Sequence, residues 1–214
     1  MKITRARANA PGVPTQTLRP PATIEQRRGA APKPSGFTLI ELMMTIAISV
    51  ILITVGIPGF STLIGNQVLS AEARQFSMSL ALARSQAIAR KEQIALCKST
   101  NQSACSTVDT VHWEDGWILF VDEDADGQRQ TGERILRRRA ALDGSVTLRP
   151  SAEYTNYIAF ATDGRCFGNG DETPPTEGSY RLCDARGAQQ ARVVEISPVG
   201  RARVAPAPGA AACP

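Results

Sequence analysis

The chain is 214 residues long, 43% hydrophobic and 5% aromatic, with a formal net charge of +4 and a sequence pI near 9.0. That composition excludes a wholly disordered chain and leaves room for one modest domain with an appended segment. The basic balance does not argue for a nucleic-acid partner, because it is local. Residues 1–36 carry seven Lys and Arg against Glu25, a net of +6, whereas the other 17 basic and 19 acidic residues leave the remainder near −2.

Residues 1–34 are rich in Pro, Ala and Arg, show no apolar periodicity and read as disordered. Gly36-Phe37-Thr38-Leu39-Ile40-Glu41 follows, and from Leu42 to Pro58 no charge occurs. Glu41 is the only ionisable side chain between Phe37 and Ala71. The run is long enough to cross a bilayer, which takes roughly 20 apolar residues as a helix. An acid inside such a span is costly and is kept for pairing or function. Cleavage after Gly36 would place the new amino group of Phe37 one helical turn from Glu41. A secretory signal fits less well, since the apolar run does not end at a small-residue cleavage site. Lys and Arg gather before the span, which predicts a cytoplasmic N-terminus and places everything after about Ile64 on the far side.

Phe37 to about Arg90 is predicted as one helix, with a transmembrane stretch at about 39–63 and a kink or local melting near Gly56 to Gly59, where Pro58 removes a backbone donor. Beyond that point Leu69, Ala73, Phe76, Leu80, Ala83 and Ala87 recur at steps of three and four, one buried face of a helix, with Glu72, Gln75, Ser79 and Gln86 off the stripe. After Lys91 the pattern changes to short strand-like runs: Gln93 to Cys97, Trp117 to Asp122, Arg134 to Arg138, Val146 to Arg149, Tyr157 to Thr162, Tyr180 to Cys183, Arg192 to Ser197 and Arg201 to Ala205. Turn signals at Asp126-Gly127, Asp143-Gly144, Asp163-Gly164 and Arg186-Gly187 separate them. The expected fold class is α+β, a long N-terminal helix packed on an antiparallel β-rich head at 92–205, with a flexible tail at 206–214.

All five cysteines fall after the span, in a compartment that permits disulfides. Their spacing favours Cys97 with Cys105 and Cys166 with Cys183, leaving Cys213 in the tail. Zinc is the competing reading, but no CxxC pair exists and His112 is the only histidine. Nor do the residues assemble a nucleophile, base and oxyanion donor, so neither an enzyme nor a cofactor is expected.

The block from Gly36 to Glu41, with a basic leader before it and an apolar stretch after it, resembles the processing site of type IV pilins and pseudopilins. That resemblance implies cleavage after Gly36 by a prepilin peptidase, N-methylation of Phe37, and docking into a filament of like subunits guided by Glu41. The head narrows it. Trp113 with Gly116-Trp117-Ile118-Leu119-Phe120-Val121-Asp122, Gly132-Glu133-Arg134-Ile135-Leu136, Ile158-Ala159-Phe160, Asp163-Gly164, Leu182-Cys183-Asp184 and Val194-Glu195-Ile196-Ser197 look like the GspH/FimT group of minor pseudopilins. The implied protein is an inner-membrane, single-pass structural subunit of a type IV pilus or type II secretion pseudopilus, its head in the periplasm.

Three stretches are candidates for binding. Asp122, Asp124, Asp126, Gly127 and Glu133 satisfy D-x-D-x-D-G-x5-E, the spacing of a calcium loop. Strand-like flanks and Arg129 at an interior position favour an acidic hairpin turn instead. Arg137-Arg138-Arg139 reads as a solvated edge that blocks strand pairing. Gly200-Arg201-Ala202-Arg203 would place both arginines on one face of a strand, suited to successive phosphates. It resembles the GRxR motif linked to DNA capture in FimT-type minor pilins, with Arg165, Arg186 and Arg192 as supporting charges, so DNA uptake is the alternative function.

Overall fold

The computed structural model describes residues 36–142, 144–169, 178–207 and 213. Of the leader at 1–36 only Gly36 lies among them, and Asp143 of one predicted turn lies outside. The chain divides into two compact units, residues 1–47 and 48–214.

In the first unit the described residues open the long helix α1 (Leu39–Arg90). Thr38 caps it. Its Oγ1 accepts the Glu41 N–H at 3.3 Å and its carbonyl accepts the Leu42 N–H at 3.1 Å. The Thr-x-x-Glu spacing is half of a capping box, so Glu41 also suits the positive end of the helix.

Among the described residues the second unit holds the rest of α1 and nine strands. Helix runs without a break across 56–59, so the predicted melting is not seen. A proline removes one donor while the neighbouring hydrogen bonds carry the turn. At the far end Lys91 adopts φ 59° and donates to the Ala87 carbonyl at 3.0 Å, ending the helix in a left-handed cap without glycine.

The strands are β1 (Ile94–Lys98), β2 (Gly116–Val121), β3 (Ile135–Ala140), β4 (Val146–Pro150), β5 (Tyr157–Phe160), β6 (Cys166–Gly168), β7 (Gly178–Asp184), β8 (Arg192–Ile196) and β9 (Ala202–Pro206). They form two antiparallel sheets, ordered β3-β2-β1-β5-β6 and β4-β7-β8-β9. Eight match predicted runs to within a few residues. β6 was not predicted, since three residues are too few for alternation to register.

The whole apolar stripe of α1 is buried, in one core with side chains from both sheets. Phe76 lies at its centre, with its ring centroid 5.8 Å from Trp113, 5.1 Å from Trp117 and 4.6 Å from Tyr180, all edge-on. Ser79, predicted off the stripe, is also buried, and its hydroxyl donates to the Gln75 carbonyl at 3.1 Å. Strands β1, β2 and β5 are buried on both faces. Their second face carries a smaller cluster of Ala95, Cys97, Ile118, Phe120, Tyr157 and Ala159.

Arg137, Arg138 and Arg139 do lie on an edge strand, β3. Arg139 is more than solvated edge. It donates through Nη2 to both carboxylate oxygens of Glu72 on α1, at 3.1 and 3.0 Å, and stacks 6.0 Å from the Trp117 ring centroid.

Candidate functional site

Three regions carry the predicted functional residues. The first is the helix start. Gly36, Phe37 and Glu41 are all exposed, and so are the large apolar side chains Leu39, Ile40, Leu42, Met43, Met44, Ile46, Ile48, Val50, Ile51, Leu52, Ile53, Phe60, Leu63 and Ile64. This is the helix long and apolar enough to cross a membrane. Its surface is far beyond the few hundred Å² of contiguous apolar patch that a soluble monomer leaves uncovered.

The second is the turn between β8 and β9. Ser197-Pro198-Val199-Gly200 closes with the Gly200 N–H on the Ser197 carbonyl at 2.8 Å. Gly200 has φ 73°, and a Cβ there would lie 2.2 Å from the Gly164 carbonyl oxygen, so glycine is required twice over. Arg201 then pairs with Ser197, its carbonyl accepting the Ser197 N–H at 3.0 Å. Arg201 and Arg203 are both exposed while Ala202 packs against the core, as a strand period of two requires. They line a groove of about 880 Å³ with Arg181, but Glu153 and Glu195 line it too, and Glu195 is the cross-strand partner of Arg203.

The predicted supporting charges are not gathered there. Arg186 donates to both Asp184 oxygens, to the Thr62 carbonyl at 3.0 Å and to Asn66 Oδ1 at 2.9 Å, fastening the head to the helix. Arg192 reaches Ser70 Oγ at 3.4 Å on the same helix, and Arg165 pairs with Asp163 at 2.6 Å. The Arg165 backbone N–H, and after it the guanidinium, hold the Asp163 carboxyl below its usual range. An arginine that the sequence reading passed over, Arg84, donates from Nε to the carbonyls of Gly164 and Val199, at 3.1 and 3.0 Å, and so sets the glycine turn against α1. Its place beside Leu80 and Ala83 at the edge of the buried stripe was the available signal.

The cysteines require a correction. Cys97 bonds Cys105, but Cys183 bonds Cys213, and Cys166 is a buried free thiol. Strand parity is the reason. Tyr180 and Leu182 of β7 face the main core, so Cys183 faces the other way, into a cluster with Ala191, Val193, Ala207 and Cys213. Cys166 belongs to the main core, with its Sγ 3.3 Å from the Tyr154 hydroxyl and 3.6 Å from the Ser197 carbonyl. Burial raises this thiol's pKa, so it is protected rather than reactive. The predicted tail is therefore held at Cys213 and at buried Ala207; residues 208–212 and 214 lie outside the described residues.

The third region is the β2–β3 connection with the acidic motif. It is not a free hairpin turn, because it packs over the second face of the five-stranded sheet. Gly127 has φ 72°, and a Cβ there would lie 2.4 Å from the Tyr157 ring. Arg129 donates to the carbonyls of Glu133 and Ser103, at 2.8 and 3.0 Å, tying the connection to the loop closed by Cys97–Cys105. Glu133 is buried, and its two oxygens accept the N–H groups of Glu123 and Gln130, at 2.8 and 2.7 Å. Burial raises the pKa of the Asp122 carboxyl, against the hydrogen bonds that it accepts from Gln93 and Gly127.

Comparison with known proteins bears on the helix start and on the head as far as Gly200. Residues 72–200, more than half of the chain, match the family model described as type II transport protein GspH, and residues 32–57 match the prokaryotic N-terminal methylation motif. No curated protein matches the chain. Among solved structures, the type IV minor pilin FimU of Pseudomonas aeruginosa is 22% identical, with a TM-score of 0.47, over 68% of this chain and 92% of that one. The minor pseudopilin EpsH of Vibrio cholerae is 10% identical, with a TM-score of 0.42, over 64% of this chain and 96% of that one. Likeness at that level carries no argument of its own. The family model covers α1 from Glu72 onward and the strands from β1 through β8, and the methylation motif spans Gly36, Phe37 and Glu41. The chain belongs to the GspH family of pilin-like minor pseudopilins.

Proposed function

We propose that this protein is made as an inner-membrane prepilin, loses residues 1–36 to a prepilin peptidase, is N-methylated on Phe37, and enters a type IV pilus or a type II secretion pseudopilus as a minor structural subunit. Residues 39–63 form its single membrane span, with the N-terminus cytoplasmic and the head at 92–205 periplasmic. The observation that carries this reading is the exposure of large apolar side chains at 37–53 and 60–64, around and beyond the capped turn that holds Glu41. Lipid covers that surface before assembly and neighbouring helices cover it afterwards. Glu41 then meets the amino group of a methylated Phe37, because an acid in an apolar filament core needs a cationic partner.

Mass spectrometry of the membrane-extracted protein tests the proposal. The mature chain is expected to begin at N-methylated Phe37. An intact leader in cells with active peptidase would overturn it. Glu41→Ala is expected to leave cleavage intact and remove the subunit from sheared filaments.

A second reading, DNA capture during uptake, is favoured by one observation: Arg201 and Arg203 are exposed together beside a groove. The nearby Glu153 and Glu195 and the diversion of Arg186 and Arg192 to the helix weaken it. If it holds, changing both arginines to Gln flattens the slope of log K against log salt by about 2, near 0.9 per lost phosphate contact on duplex DNA. Equal binding by the double variant removes the reading.

A further inference from the structure

The proposed function assigns no role to the acidic β2–β3 connection. We propose that it is a divalent-cation site of the calcium class, with the carboxylates of Asp122, Asp124 and Asp126 as its protein ligands.

Two independent observations meet there. Each of the three carboxylates places one oxygen within 4.8 Å of the others. Calcium holds its oxygens at 2.3–2.6 Å, so ligands on opposite sides of the ion lie about 4.8 Å apart, and the cluster fits a first shell. The second observation concerns Asp122. It is 1% exposed, and its Oδ1 is buried with no hydrogen-bond partner among the described residues, whereas Oδ2 accepts from Gln93 Nε2 and the Gly127 N–H, both at 3.1 Å. A buried carboxylate oxygen without a donor is costly, and a cation removes that cost.

The surrounding residues define what the site accepts. Glu133, at the position that is a bidentate ligand in helix-flanked calcium loops, spends both oxygens on backbone N–H groups and acts here as a brace. Asp126 keeps coordinating capacity, since Gln128 N–H and Gln130 Nε2 take one lone pair from each of its oxygens. The Arg129 guanidinium is committed to the carbonyls of Glu133 and Ser103. All donors offered are hard oxygens, which excludes a preference for zinc or copper. Asp124 and Asp126 are exposed, so water completes the shell, and an irregular wet site of this kind suits calcium better than the strict octahedron of magnesium. Bound cation would pin the connection over Tyr157 and the outer face of the five-stranded sheet.

The test uses the full chain in detergent, stripped with chelator and titrated with calcium by calorimetry, with thermal unfolding followed in parallel. One calcium per chain and a raised Tm are expected. Asp124→Asn, at an exposed position, is expected to unfold at the wild-type temperature in chelator and to bind calcium about tenfold more weakly, as fewer ligand charges weaken such sites. Asp122→Asn is expected to lose the calcium-dependent rise in Tm altogether. No calcium binding by the folded wild type, or equal binding by Asp124→Asn, would overturn the site. An equal rise with magnesium would overturn the calcium class.

Discussion

Helix α1 is one element with two opposite halves. At 39–53 and 60–64 its large apolar side chains are exposed, whereas from Leu69 to Ala87 every stripe residue is fully buried. The halves differ both in apolar content and in pattern. The first is apolar all round, as a helix is when lipid or other helices surround it, and the second gathers most of its large apolar residues on one face, with Met78 exposed off it. The density of apolar residues and their angular distribution together tell which half the head will hold.

That contrast can be broken by truncating each half in turn. Phe76→Ala empties the meeting point of Trp113, Trp117 and Tyr180. It is expected to cost the head about 3–5 kcal/mol in denaturant unfolding followed by tryptophan fluorescence. A smaller effect is expected at the boundary, where Arg186 grips Thr62 and Asn66. Arg186→Ala should cost about 1–2 kcal/mol and raise hydrogen exchange at 62–66, since it removes charge-assisted bonds from a partly exposed site. Leu52→Ala, in the exposed half, is expected to leave head unfolding unchanged within about 0.5 kcal/mol while weakening membrane retention or filament incorporation. Equal losses from Phe76→Ala and Leu52→Ala would abolish the distinction between the halves.

The binding features divide in the same way. Gly200 and the alternation of Arg201, Ala202 and Arg203 were legible, because turn chemistry and strand period act within a few residues. The roles of Arg186 and Arg192 were not, since each reaches a helix residue more than a hundred positions away. The acidic motif was legible as a spacing. Its interest comes from the burial of Asp122, whose Oδ1 has no hydrogen-bond partner among the described residues, and no count of residues shows that.

From sequence alone came the long N-terminal helix, the stripe from Leu69 to Ala87, eight of the nine strands among the described residues and the family, because periods of 3.6 and 2 and short motifs are local properties of the chain. Tertiary structure decided which cysteines meet. The predicted Cys166–Cys183 bond is not formed, because Cys183 stands one residue beyond the core-facing Leu182 and so shares the opposite face with Cys213, while Cys166 points into the core beside Tyr154. Parity along a strand could have separated them. Which face becomes the core depends on how the two sheets close over α1, and that is settled only when distant segments pack.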